Sequence, residues 1–478
     1  MIQKLTVALS LMLLLSLVWL VTNFINVQAA PGHIVKDNFA VILSPQSETL
    51  GKSAMQSDRV LIGQTDITVT NSYALYFPAI INHLCATGFT YNESIGYNLD
   101  IINTEAAWDD CSHGEGVIVA VVDTGVDLDH PDLQANLISG RSFVSGTSSP
   151  DDDEGHGTHV AGIVAGVSNN GGIIGVAPNT SLMPVKVLDD QGSGWTYDIA
   201  AGVEWAVDNG ANVINMSLGS VDDSSTLQAA VDYATNQGAL LVAAGGNCGD
   251  AFYFLSGCDY QDQPLYPAAY ANVLAVASTN SSDNQSSFSN EGSYIEVAAP
   301  GSSIYSTYPS GAYATMSGTS MASPHVAGLA ALIWSQNSDW TNQEVRAQIR
   351  NTAQDLGSSG WDSQFGYGRI DAEAALDSQQ TTATPDGFNS ALAAAAGEVE
   401  APYKPGEILL KLRSGVTVNN VLDPAKLAEY EVKVAGTIDQ IGVMKLTVTA
   451  GQEQKVLTEL RNSGRVVYAE LNYIVTVR

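Results

Sequence analysis

Gly318-Thr319-Ser320-Met321-Ala322-Ser323-Pro324 is followed by an apolar run, Val326 to Trp334, that continues at helical spacing. A serine placed there stands at the N-terminus of a buried helix, with Pro324 expected in or near the first turn, where a missing N–H costs nothing. The free N–H groups and positive dipole end of such a helix stabilise an anion forming beside the hydroxyl. Gly-Thr-Ser before a helix is also an ordinary cap. A nucleophilic role therefore requires a base and an orienting acid elsewhere in the chain.

Both types occur upstream. Val117-Ile118-Val119-Ala120-Val121-Val122 reads as a strand buried on both faces, as in a parallel sheet, and it runs into Asp123-Thr124-Gly125. The carboxyl end of a central strand is where open α/β sheets place their sites. Gly155-His156-Gly157-Thr158-His159-Val160-Ala161-Gly162 opens a helix, and its glycines leave the imidazole reachable. Strand and helix patterns alternate onward through residues 181–187, 197–208, 213–218, 227–237, 239–244 and 273–277. This rhythm predicts an α/β domain, a doubly wound and mainly parallel sheet with helices on both faces. A last helix is expected near 342–352, with the domain closing by about Ser378. The strand at 239–244 leads into Gly245-Gly246-Asn247, whose side-chain amide suits an oxyanion.

Length and charge bound the rest. The 478 residues have room for two or three domains, and 19 basic against 50 acidic residues give a net charge of -31, which argues against nucleic acid or an anionic membrane as partner. Residues 1–30 read as a signal peptide: Lys4, an apolar run from Leu5 to Val21, then small residues suited to cleavage after Ala29 or Ala30. A membrane is a partner only if that segment stays uncleaved. Export permits disulfides. Cys85, Cys111, Cys248 and Cys258 allow three pairings, of which sequence proximity favours Cys85 with Cys111 and Cys248 with Cys258.

Residues 31–90 read as a lead-in or pro-like segment, 91–378 as the α/β domain, 379–402 as a Thr-, Ala- and Pro-rich linker, and 403–478 as a second domain. In that domain, strands at 406–412, 443–448 and 466–477 and helices at 424–430 and 453–462, with one more strand before Val443, predict a small α+β ferredoxin-like fold. It carries 10 basic and 8 acidic residues, so it is near +2 while the remainder is near -33, and the two parts attract.

The three motifs at 123–125, 156–159 and 318–324, in that order, resemble the signatures of the subtilisin-like serine proteases, over about residues 90–378. The resemblance implies a secreted, monomeric serine endopeptidase acting on protein and peptide substrates, with no cofactor for catalysis. Ser320 would be the nucleophile, His156 the general base and acid, Asp123 its orienter, and Asn247 with the Ser320 N–H the oxyanion hole. Substrate would pair as an added strand beside Gly192, Ser193, Gly194 and Ser217, Leu218, Gly219, with Ala244, Gly245 and Gly246 walling the pocket for the residue before the scissile bond. His130, His159 and His325 are expected to be packing residues. A structural calcium, common in the family, would take Asp132 and Asn169 side-chain oxygens and the carbonyls of Val167, Gly171 and Ile173.

Two departures from the family pattern stand out. The segment between Asn247 and Tyr266-Pro267 is longer than in the shorter members and contains Cys248 and Cys258. The folding and inhibitory domain that precedes the catalytic domain in that family is not resembled by residues 31–90. Instead, Pro405-Gly406-Glu407-Ile408-Leu409-Leu410-Lys411 and Val466-Val467-Tyr468-Ala469-Glu470-Leu471-Asn472-Tyr473 resemble its first and last strands. The C-terminal module is therefore expected to dock on its own catalytic domain, with Ile474-Val475-Thr476-Val477-Arg478 product-like in the cleft and the Arg478 carboxylate near Ser320.

Overall fold

Strand β1 (Ile118–Asp123) is apolar up to its last residue and lies in the interior of a seven-stranded parallel sheet. Its side chains alternate between two cores, as a period of two dictates. Val119 and Val121 join one core with helices α1 (His156–Ala165) and α4 (Thr319–Gln336). Ala120 and Val122 join the other, with α2 (Thr196–Asp208) and α3 (Ser225–Asn236). All four residues are 0% exposed, and a fully buried Val contributes about 1.5–3 kcal/mol, so this strand anchors both layers.

The computed structural model describes residues 91, 93, 95–109, 112–169, 171–250, 257–377 and 402–477, and short strands between 29 and 69. Residues up to Thr87 and those from Gly88 onward form two units. Within the first, His33–Lys36 pairs with Phe39–Ile42, and Asp58–Ile62 with Thr65–Val69. The expected signal segment up to residue 28, Cys85 and Cys111, the linker at 379–401 and Arg478 lie outside the described residues.

The other strands of the parallel sheet are β2 (Arg141–Ser142), β3 (Ser181–Lys186), β5 (Val213–Met216), β7 (Leu240–Ala244), β8 (Val273–Thr279) and β9 (Ile295–Pro300). Their order is β9-β8-β7-β5-β1-β3-β2, the doubly wound α/β fold predicted from the sequence. Two short strands, β4 (Ser193–Trp195) and β6 (Leu218–Gly219), stand outside it. The sequence reading missed β9 and the hairpin of β10 (Ile304–Tyr308) with β11 (Ala312–Met316).

Pro324 falls near the first turn rather than within it. Helix α4 begins at Thr319, which puts Pro324 at the sixth position and beyond the first turn. A proline there leaves the carbonyl four residues earlier without its helical donor. That carbonyl belongs to Ser320, and the Ser217 hydroxyl donates to it at 2.9 Å. The residue between β5 and β6 thus supplies what the helix lacks.

After α5 (Asn342–Asn351), the C-terminal domain runs β12 (Tyr403–Leu412), α6 (Pro424–Glu429), β13 (Lys433–Ile438), β14 (Val443–Thr447), α7 (Glu453–Asn462) and β15 (Val466–Val477). The strands are antiparallel in the order β15-β12-β14-β13, the βαββαβ arrangement with the extra strand before Val443. Ile408, Leu410, Leu446, Val456, Leu457, Leu460 and Leu471 form its own core.

Candidate active site

Asp123 ends β1 and His156 begins α1, and their side chains meet in the interior: His156 Nδ1 lies 2.7 Å from Asp123 Oδ1. Asp123 is 0% and His156 3% exposed. The Thr124 N–H donates to the same carboxylate oxygen at 2.7 Å, and the Thr124 hydroxyl accepts from Gly157 N, which ties the two turns together. Gly157 is required there, because a Cβ would lie 2.1 Å from the Gly125 carbonyl oxygen. Burial pulls the His156 pKa down, but the Asp123 charge and hydrogen bond, with Glu154 and Asp152 behind them, outweigh it and the net shift is upward. His156 Nε2 is buried with no hydrogen-bond partner.

Ser320 is the second residue of α4 and 1% exposed; its Oγ donates to the Ser217 carbonyl at 3.1 Å. Asn247 is fixed next to it through Thr319, whose N–H and hydroxyl both donate to Asn247 Oδ1 at 2.9 Å. With its oxygen so engaged, the Asn247 amide presents its NH2 group, the donor end. Asn247 and His156 line a cavity of about 590 Å³, whose wall also includes Ser220, Val221, Asp222, Gly257, Met316, Ser317 and Met321. Of those seven, only Met321 lies in a motif read from the sequence. Of the three residues expected to wall the pocket, Ala244 is buried at the end of β7, and Gly245 and Gly246 turn the chain toward Asn247, Gly246 at φ 119°. Cys248 and Cys258 form a disulfide that closes the loop after Asn247.

The remaining cavity wall comes from the C-terminal domain: Pro402, Ile474, Thr476 and Val477. Strand β15 continues beyond its own sheet and pairs antiparallel with β4 (Ile474 with Trp195, Val475 with Gly194, Thr476 with Ser193) and with β6 (Thr476 with Gly219, Val477 with Leu218). Val477 N donates to the Gly192 carbonyl at 3.0 Å. Val475 is 1% exposed and belongs to the second core of the α/β domain. The residues expected to hold a substrate strand therefore hold the chain's own.

Two side chains of β15 cap helices of the other domain. The Glu470 carboxylate accepts from Ser224 Oγ, Ser225 N and Thr226 N at the start of α3, and Asn472 Oδ1 accepts from Tyr197 N in the first turn of α2. The Lys445 ammonium sits 4.3 Å from the Tyr197 ring centroid. Of these three contacts only that of Lys445 brings a positive charge onto the acidic larger domain.

His130, His159 and His325 bond to backbone. Nitrogens of His130 and His159 lie 3.0 Å from Ala312 O and 3.1 Å from Ile304 O, and His325 Nδ1 lies 2.8 Å from Met321 O. Burial holds both His159 and His325 down to about 4.

The expected cation ligands gather on the 167–173 loop. Asp132 Oδ2 accepts from Ile173 N and from the Tyr313 hydroxyl, Oδ1 accepts from Asn169 Nδ2 at 3.0 Å, and the Asp132 carbonyl accepts from Val167 N. Glu93 closes the other side, accepting from Asn169 N and Gly171 N. Asp132 and Glu93 thus bring two carboxylates to this loop, the oxygen chemistry a hard cation takes, with Asn169 turning its NH2 group to Asp132. Among the described residues no group of three or more His, Cys, Asp or Glu is placed to hold a metal.

Comparison with known proteins agrees with this architecture. The subtilase family model matches residues 114–368, and the model of the fervidolysin N-terminal prodomain matches residues 389–472. The chain is 47% identical over 287 residues to thermitase of Thermoactinomyces vulgaris, spanning 60% of this chain and 97% of that protein. It is 46% identical over 286 residues to an alkaline protease of Alkalihalobacillus alcalophilus, covering 60% and 71% of the two chains. Subtilisin Savinase of Lederbergia lenta is 45% identical over 283 residues, 59% of this chain and 99% of its own.

Proposed function

The chain belongs to the subtilase family and is a subtilisin-like serine endopeptidase with a prodomain-like module behind its catalytic domain, and on that premise we propose that Asp123, His156 and Ser320 are its triad and that strand β15 inhibits it from within. The observation that carries the triad is the 2.7 Å contact from His156 Nδ1 to Asp123, which leaves Nε2 unpartnered beside the cavity. Ser320 Oγ attacks the scissile carbonyl as His156 Nε2 takes its proton, and Asp123 stabilises the imidazolium. Asn247 Nδ2 and the Ser320 N–H receive the oxyanion. His156 then protonates the leaving amine, and water resolves the acyl-enzyme by the same steps.

Inhibition rests on the pairing of β15 with β4 and β6, which occupies the backbone donors and acceptors that an extended substrate would use. Access to the site is denied while the strand stays paired. Release of the strand, or its removal, would switch the enzyme on. The acidic surface and the apolar N-terminal segment support a secreted enzyme; among the described residues no helix is long and apolar enough to cross a membrane. A calcium ion held by Asp132, Asn169 and the carbonyls of Val167, Gly171 and Ile173 would staple the loop that follows α1 and take no part in the chemistry.

A fluorophosphonate label tests both parts. Ser320 is expected to be labelled in the full chain slowly and in a chain lacking residues 475–478 rapidly, with no label in Ser320→Ala. Label that persists in Ser320→Ala would refute the nucleophile, and equal rates with and without residues 475–478 would refute inhibition by the strand.

A further inference from the structure

Resting on that reading of the cleft, we propose that Glu154 selects substrates with Lys or Arg at the position occupied by Val477. The register identifies that position. Gly219 pairs with Thr476 and Leu218 with Val477, so a residue continuing the strand would align with Ser217, whose carbonyl accepts from Ser320 Oγ. Val477 thus takes the place of the second residue before the scissile bond.

Glu154 borders the same space. Gly192 has φ 67° and no side chain; a Cβ built on it would lie 3.1 and 3.3 Å from the two Val477 methyl groups and 3.9 Å from Glu154 Oε1. A side chain longer than Val at that position reaches the carboxylate. The Glu154 backbone is held at both ends, by its N–H to Asp152 Oδ1 at 3.1 Å and by the Tyr308 hydroxyl to its carbonyl at 3.1 Å. Its Oε2 accepts from His156 N at 2.7 Å, which turns Oε1 toward the subsite.

Among the described residues no cation pairs with it. The nearby Lys186 ammonium is committed to Asp153 at 2.6 Å and to the Thr124 carbonyl, and no ion pair to Glu154 exists among the described residues. A half-buried carboxylate next to a substrate side chain favours a cation through Coulomb attraction in a partly desolvated site. Val477 leaves that attraction unused, which suits an inhibitory strand that must also be released.

The test is internal competition between short peptides that differ only at this position, Lys against Gln, in one vessel. The ratio of kcat/KM is then independent of how much enzyme the strand occupies. Wild type is expected to favour Lys by about tenfold at low ionic strength, less as salt rises, and Glu154→Gln, which keeps an acceptor for His156 N, to bring the ratio near one. Where the strand suppresses turnover, the Glu470→Gln background gives the same ratio. In parallel, Val477→Lys is expected to slow fluorophosphonate labelling in the wild-type background and not with Glu154→Gln. An equal Lys/Gln ratio in wild type and Glu154→Gln overturns the assignment. Failure of Ser320 to label in any background would instead overturn the underlying reading of the cleft.

Discussion

Replacing Glu470 with Gln is expected to open the cleft while leaving the C-terminal domain folded. Glu470 is 6% exposed, and its carboxylate accepts three hydrogen bonds, at 2.8 Å from Ser224 Oγ and at 2.9 Å from both Ser225 N and Thr226 N. When the strand leaves, those donors return to water, and Ser224 Oγ still accepts from Leu227 N at 3.2 Å, so α3 keeps part of its cap. The docked state therefore gains only the exchange. That is about 1.5–3 kcal/mol for a charge-assisted bond, with about 1 kcal/mol more from the helix dipole. Gln retains one acceptor but turns an NH2 group toward the donors. A loss of about 3 kcal/mol is expected, or roughly a hundredfold in the docking equilibrium. The assay is the rate of fluorophosphonate labelling of Ser320, which follows the open fraction when opening is a fast pre-equilibrium. The rate should rise about a hundredfold with the far-ultraviolet circular dichroism unchanged. An unchanged rate in a folded Glu470→Gln protein would show that β15 does not govern access.

Two further outcomes follow from the same contacts. Glu204 on α2 meets the Gln440 and Ile441 N–H groups of the β13–β14 turn, with Asp208 and Asp439 facing it, and burial followed by the Asp208 charge pushes its pKa up to about 7. The docked form then holds a proton that the undocked form releases at lower pH, so docking is strongest in acid and weakens as pH rises through about 7. Burial also lifts Asp198 to about 6 against the Lys445 and Lys404 charges, which reinforces the trend. The labelling rate of wild type divided by that of Glu204→Gln, which cancels the titration of His156, should rise a few-fold from about pH 5 to about pH 8; a flat ratio would contradict it. For the cation site, added calcium should raise the thermal midpoint of wild type and barely move Asp132→Asn, as read by calorimetry. Equal gains in both would remove Asp132 from the ligand set.

How much of this was legible in the sequence depended on how local each determinant was. The parallel sheet announced itself because β1, β5 and β7 are short apolar runs ending at turns, and burial on both faces demands that composition. Strand β9 did not, since Ile295-Glu296-Val297-Ala298-Ala299-Pro300 puts a charge and a proline in a run that is buried throughout. Glu296 is admitted there by Arg346, whose Nε donates to it at 2.8 Å from α5, a partner fifty residues away in the chain. The site divides along the same line. Asp123, His156 and Ser320 each lie in a motif with glycine close by, where the backbone itself prescribes the residues. Cavity residues such as Ser220, Asp222, Gly257 and Met316 come from three separate stretches, and only the packed fold makes them neighbours.

The Ser320 carbonyl shows why such tertiary support escapes a sequence reading. Pro324 removes its helical donor, and the replacement is the Ser217 hydroxyl, which also lies 2.8 Å from Ser323 Oγ and accepts from Asn215 Nδ2 at 2.9 Å. Ser217 is at the same time the residue whose carbonyl accepts from Ser320 Oγ and whose neighbours Leu218 and Gly219 pair with β15. The turn that carries Ser320 and the edge that pairs with β15 are thus one hydrogen-bonded unit. A strand lying along that edge is therefore expected to be coupled to Ser320 through the Ser217 backbone.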